Sequence, residues 1–329
     1  LFLGSCGEVF LDFSNFIFEE IDLTMSRRRK ENNNNTSSDN QFIRFDTAKL
    51  TEVLRDAIFE YTNETTFGNR KEFSDKRNEV RVQVFYTHPT KAAVRENVEF
   101  EGCEELQALT DLNIVYQKYK ANSVTANLIC DAVSLSKYNE VFKYLLQLRY
   151  VQHALDRGVV SQWTSERRRK TKKLTFSALE IELKHFVTTL RSFVITKILS
   201  TEWKILLKSI DETAQSVDDV KSAHDVYLEN ISRVALASAD ATWSLLSTHI
   251  KSILSVASEF GKLQRELNTM SDDDDDDVQS KRRELAVKRM EKKFTDSRVK
   301  VMQILQHRTG GEDEDIETLH EQLNFNNCY

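Results

Sequence analysis

An all-α fold, an elongated helical bundle with a minor strand or hairpin element in an insertion, is predicted by three observations. Pro89 is the only proline in 329 residues. There are only eight glycines. Apolar residues recur at helical spacing in one segment after another. Sheet-rich folds need many tight turns, and turns draw on Gly and Pro, so a chain this poor in both reads as long helices. Apolar residues make up 40% and charged residues 30%, a balance that suits helices with one buried and one solvated face.

Residues 1–23 are rich in apolar and aromatic side chains and read as a turn around Gly4 and Gly7 feeding a helix. Residues 24–40 hold a basic run from Arg27 to Lys30 and then an Asn run, a composition expected to be a linker or loop. Helical spacing returns over 42–61, with Leu50, Val53, Leu54, Ala57, Ile58 and Tyr61 on one side. Residues 67–105 read as an insertion. Within it Val80, Val82 and Val84 alternate with Arg81 and Gln83, a strand pattern of period two. Residues 106–135 mix short extended runs with polar breaks.

A helix over 137–156 carries Tyr138, Val141, Phe142, Leu145, Leu148 and Leu155 on one stripe. Tyr144 and Val151 give it a second apolar side, as in a helix wedged between neighbours. Residues 163–173 are basic. One long helix is expected over 174–210, with Leu179, Leu183, Phe186, Leu190, Val194 and Ile198 in register. Ser216 and Asp219 offer side-chain oxygens to cap the next helix, which carries Val220, Ala223, Tyr227, Ile231 and Val234. Another follows over 240–267. Six aspartates at 272–277 are expected in a solvated linker over 268–284. Val287, Met290, Phe294, Val301 and Leu305 mark an additional helix over 285–306. Residues 307–329 read as an acidic tail.

The net charge of −6 makes no case for nucleic acid as the main partner. No apolar run approaches the ~20 residues of a membrane span. Cys6, Cys103, Cys130 and Cys328 are scattered without metal-ligand spacing, which is expected of reduced thiols in a cytosolic protein. The chain opens on Leu1 within an amphipathic stretch, so a piece of a longer protein is expected.

Motifs for phosphate-cradling loops, dinucleotide sites and nucleophile elbows are missing from the sequence. His320-Glu321 lacks the second histidine of a zinc protease. The seven histidines are spread out, several of them inside predicted helices, where a satisfied structural role is the simple reading. Carboxylate pairs sit on charged faces rather than in a pocket that general acid–base catalysis could use. No enzyme activity, cofactor or metal is expected.

The segment from Ser136 through Lys137, Tyr138, Asn139, Phe142, Tyr144, Leu145, Leu146 and Leu148 to Arg149 resembles the signature helix of γ-tubulin complex components. Phe2-Leu-Gly-Ser-Cys-Gly-Glu-Val-Phe10 resembles that family's opening motif of the same domain. His185, Phe186, Val187 and Phe193 resemble its His-Phe-Val helix, and Trp203 the tryptophan a few turns later. Val217, Asp218, Asp219, Val220, Ala223, His224, Tyr227 and Leu228 resemble its Ala-His segment. Ile250, Ile253 and Phe260 resemble its last core helix. The pieces fall in the family's order over residues 1–23, 41–66 and 106–267. The Tyr-Leu-Leu-Gln-Leu wording is similar to the large component-six type. The chain departs where the family has Trp-Pro-Leu before the signature helix, since Tyr119 is followed by Asn122, Ser123 and Val124.

The resemblance implies a γ-tubulin-binding helical domain over 1–267, with insertions at 24–40 and 67–105. It implies a scaffold subunit of a microtubule-nucleating γ-tubulin complex at a microtubule-organising centre, centrosome or spindle pole, in the cytoplasm and cytoskeleton. The implied partners are γ-tubulin, other components of the complex and, indirectly, microtubule minus ends; GTP would belong to γ-tubulin. Tubulins as a class are acidic, so Lys137, Asn139 and Arg149, at the start and close of the signature motif, are the expected γ-tubulin-binding residues. The alternative is a helical scaffold of another class, such as a vesicle-tethering subunit.

Overall fold

The structure, a computed structural model, describes residues 7–33, 43, 45–65, 82–86, 100, 103–116, 128–165, 173–237, 240–269, 277–308 and 314–324. In chain order the elements are α1 (Gly7–Asn33), α2 (Thr47–Thr65), β1 (Val82–Tyr86), α3 (Glu104–Thr110), β2 (Leu112–Tyr116), α4 (Ala132–Ser165) and α5 (Lys173–Ile195). A π-helical segment (Thr196–Glu202) follows, then α6 (Trp203–Glu212), α7 (Val217–Val234), α8 (Ala241–Thr269), α9 (Asp277–Arg308) and α10 (Glu314–Leu323). The predicted helical fold is what the chain adopts, and the minor strand element is present.

Two compact units divide the chain. The first comprises 1–98, 104–146 and 197–235. Here α1 packs on α2, and α2 on β1. Asp46 starts α2 by accepting the backbone N–H of Ala48 at 3.1 Å and of Lys49 at 3.2 Å, an N-cap arrangement. Thr51 Oγ1 accepts the N–H of Val84 at 3.0 Å, fixing β1 to α2. β1 pairs antiparallel with β2, from Val82 opposite Tyr116 to Tyr86 opposite Leu112. The partner strand therefore lies beyond the predicted insertion, past α3, and the pairing is not a local hairpin. Phe142 of α4 is buried and meets Phe10 edge-on at 5.9 Å and Phe13 at 6.2 Å.

In the first unit α6 packs on α7. The expected cap forms as a full capping box: Asp219 N–H donates to Ser216 Oγ at 3.2 Å, and Ser216 N–H to Asp219 Oδ2 at 2.9 Å. Burial along α4 matches a helix apolar on more than one side, with Val141, Tyr144, Leu146 and Leu148 all within 4% of full burial.

The second unit comprises 99–103, 147–196 and 236–329. Here α9 packs on α8, and α10 on α9 and α5. Trp243, Ile250, Ile253 and Phe260 of α8 are buried with Phe186 and Leu190 of α5 and Phe294 of α9. Phe186 and Phe294 meet edge-on at 6.3 Å. Glu180 is buried, and its charge is answered twice: Lys184 Nζ donates to it at 2.7 Å and Gln264 Nε2 at 2.8 Å. Gly261 on α8 sits so close to α4 that a Cβ there would lie 2.8 Å from the carbonyl oxygen of Ala154.

Four stretches differ from expectation. α1 continues to Asn33, into the predicted linker at 24–40. Arg27, Arg28, Arg29, Lys30 and Glu31 are good helix formers, and extending an existing helix needs no new nucleus. α9 starts at Asp277, inside the predicted 268–284 linker. The predicted tail at 307–329 contains α10, whose Ile316, Leu319 and Leu323 are buried at helical spacing. The single helix expected over 174–210 is broken by the π-helical segment, where the β-branched Thr196, Ile198 and Thr201 crowd a regular α-turn. The basic stretch at 166–172, the remaining aspartates at 272–276, Val80, and Gly4 lie outside the described residues.

Candidate interaction surface

The signature helix begins at Ala132, five residues before Lys137. Asp131 is its cap, accepting the Ser134 N–H at 2.8 Å and the Ser134 hydroxyl at 2.9 Å. The Ser134 backbone and side-chain hydrogen bonds, with Lys221 beside them, hold the Asp131 carboxyl down at about 2. Lys221 Nζ lies 3.3 Å from Asp131 Oδ2 and 3.4 Å from Asp225 Oδ2, bridging α4's cap to α7.

Two residues of the resemblance that were quoted separately come together here. The Tyr138 hydroxyl and His224 Nε2 share a hydrogen bond at 2.9 Å. Burial raises the Tyr138 phenol, with Tyr227 and Cys130 adding to it. Burial lowers the His224 imidazole, against a smaller upward pull from Asp225. His224 Nδ1 is buried without a hydrogen-bond partner among the described residues. The Tyr138–His224 hydrogen bond ties α4 to α7.

The expected contact residues have these surroundings. Lys137, one third exposed, donates to Glu229 Oε2 at 2.8 Å. Asn139 Oδ1 accepts the backbone N–H of Ile114 at 3.0 Å, holding β2 to α4. Both belong to the first unit. Arg149 belongs to the second unit and is half-buried, and like charge from it lowers Arg191 after the larger effect of burial.

The structure adds an aromatic feature whose exposure the sequence reading did not supply. Trp203 is 40% exposed although it opens an amphipathic helix, and its ring meets the buried Tyr227 edge-on at 5.9 Å. Leu207, one turn on, is 42% exposed. Glu202, just before Trp203, is buried and accepts from Asn230 Nδ2 at 2.8 Å. A tryptophan braced by its neighbours yet open to solvent is the kind of side chain that anchors protein interfaces. Among the described residues, no three His, Cys, Asp or Glu side chains gather as metal ligands would, and no helix is long and apolar enough to cross a membrane.

The described residues are mainly helical, with a single two-stranded sheet, and carry the exposed Trp203. The chain belongs to the gamma tubulin complex component C-terminal family, whose model matches residues 8–329. It is similar to Spindle pole body component 98 of Dictyostelium discoideum, at 23% identity over 155 residues covering 44% of this chain and 18% of that protein. It is also similar to Gamma-tubulin complex component 3 of Arabidopsis thaliana, at 29% identity over 128 residues covering 35% of this chain and 15% of that protein. The matches thus span less than a fifth of each relative's length, and neither relative carries a component-six name.

Proposed function

We propose that this chain is the γ-tubulin-binding scaffold part of a microtubule-nucleating γ-tubulin complex, acting without catalysis at a microtubule-organising centre. The carrying observation is the family match over residues 8–329, and it favours this reading over a vesicle-tethering scaffold. The mechanism is pre-organisation: γ-tubulins held by neighbouring subunits start a lattice with less entropy to lose. In this reading other complex components flank the chain, and microtubule minus ends are reached through γ-tubulin.

Lys137, Asn139 and Arg149 are the proposed contact residues. Lys137 can exchange its exposed partner Glu229 for a carboxylate on γ-tubulin. Asn139 has its amide nitrogen to offer while its oxygen serves Ile114, and Arg149 presents a half-buried guanidinium. Trp203 supports the reading as an apolar anchor on the first unit.

The test is capture of purified γ-tubulin by the folded chain, with Lys137→Glu/Arg149→Glu and Trp203→Ala beside it. Binding at micromolar concentration is expected, weakened in both variants with unchanged helicity. A folded, monodisperse parent that captures no γ-tubulin sinks the assignment. Variants that bind as tightly as the parent move the site elsewhere.

A further inference from the structure

The outward side of α9 is a column of cations. Residues seven and four apart share a face of a helix. Arg282, Arg289, Lys293 and Lys300 form one line, and Lys281, Lys288 and Lys292 the line beside it. All seven are exposed. The opposite side of α9 is used up: Val287, Phe294, Val301 and Leu305 are all within 4% of full burial. Glu284 holds Lys288 at 2.8 Å. Glu284 and Glu291 lie round on the flank, and Asp296 enters the face beyond Lys293. Arg282, Arg289, Lys292 and Lys293 make no ion pair among the described residues. Like charges spaced this way destabilise the helix that carries them, so the face is costly while it stays empty.

We propose that this face binds an acidic polypeptide segment of a partner protein, an extended run of Asp and Glu. The cations from Lys281 to Lys293 span about 18 Å at the α-helical rise. An extended chain advances about 3.3 Å per residue, so five or six acidic residues (roughly that span) match the column. Charge complementarity selects an anion, and two features select polypeptide over nucleic acid and membrane. The helix offers no aromatic on which a base could stack, since Phe294 is buried with Arg298 over its ring at 5.2 Å. A membrane-lying helix needs a free apolar face, and here only Leu285 and Val299 are exposed among the cations. This inference does not rest on γ-tubulin binding.

The experiment is fluorescence anisotropy of a labelled peptide of six glutamates flanked by Gly and Ser, titrated with the whole 329-residue chain. Saturable binding that weakens as salt rises is expected. Arg289→Glu/Lys292→Glu/Lys293→Glu should lose at least about tenfold in affinity, whereas Lys292→Arg/Lys293→Arg keeps it. Should the charge-reversed chain misfold, Lys292→Gln/Lys293→Gln gives the same reading, with circular dichroism as the fold check. γ-Tubulin capture should be unchanged in these variants, so the two proposals fail separately. The inference is overturned if the parent does not bind the peptide at micromolar concentration, or if folded variants bind as well as the parent. It is equally overturned if single-stranded RNA or phosphatidylserine vesicles displace the peptide by binding this face more tightly. A salt-sensitive dimer, abolished by changing residues 272–277 to Asn, would put a second copy on the face and overturn it too.

Discussion

The hydroxyl of Tyr138 on α4 lies 2.9 Å from Nε2 of His224 on α7, one hydrogen bond between two residues 86 positions apart in the chain. His224 is only 7% exposed, so its imidazole has little water to take the place of Tyr138. Tyr138→Phe removes the hydroxyl and strands the imidazole nitrogen. A loss of about 1–3 kcal/mol is expected, the cost of leaving a buried polar group unpaired. Denaturant melts of Tyr138→Phe, His224→Phe and the double variant measure the coupling. Additive losses would show that the bond contributes nothing of its own.

The same pair makes stability depend on pH. Burial lowers His224, and burial with the Lys300 cation lowers His249. Around His224 stand Tyr138 and Asp131 from α4 and its cap, with Lys221, Asp225 and Tyr227 from α7. A histidine lowered in the fold leaves the unfolded chain binding more protons, so stability rises with pH in this range. The contribution is complete above about 6.5, the unfolded value, and is lost as pH falls through the folded value. Melts at descending pH should show this decline, and His224→Gln should flatten it. An unchanged slope in that variant would assign the effect to other groups.

Phe142→Ala should cost about 3–5 kcal/mol, as a buried aromatic removed from between fixed neighbours. Phe142 is 3% exposed and touches Phe10 and Phe13 of α1. A thermal midpoint equal to that of the parent would contradict this packing.

Gly261→Ala sets two effects against each other. Alanine favours a helix interior by about 1 kcal/mol over glycine. The new methyl, however, would lie 2.8 Å from the Ala154 carbonyl oxygen, a backbone atom that cannot rotate away. Overpacking of this kind costs typically ~1–3 kcal/mol, so a net loss is expected in chemical denaturation. A stabilised variant would mean that α4 and α8 move apart readily.

Much of the helical fold was legible because its signals are local. The Ser216–Asp219 cap and the stripe through Phe186, Leu190 and Val194 are written within one turn or a few. Phe294 and Val301 mark α9 in the same way. The partner of β1 was not legible, since the pairing of Val84 with Ile114 crosses 30 residues and includes α3. α10 was hidden by its acidic composition, although Ile316, Leu319 and Leu323 have helical spacing. At the candidate surface the sequence marked Lys137, Asn139, His224 and Trp203 individually. It did not reveal that Asn139 serves the backbone of Ile114, or that Tyr138 meets His224, because pairings between distant residues leave no period to read. The exposure of Trp203 was equally silent, because the residue lies inside the single helix expected over 174–210 and the break before it leaves no local mark.

The π-helical segment at Thr196–Glu202 sets which side of the following helix faces inward. Counted along an unbroken α-helix from the buried Ile198, the inward position seven residues on is Ile205. Yet Ile205 is 51% exposed, and Leu206 is buried at 4%. The wider π turn takes up about one extra residue and rotates everything after it by roughly a quarter of a turn. That shift buries Leu206 in place of Ile205 and brings Trp203 to the edge of the buried face, where its ring meets Tyr227 while 40% of it stays open to solvent. A relative lacking one residue between 196 and 202 would regain an uninterrupted helix and turn its tryptophan to a different bearing. A single-residue gap in this stretch of an alignment is therefore a change in the presented surface, even where every flanking side chain is identical.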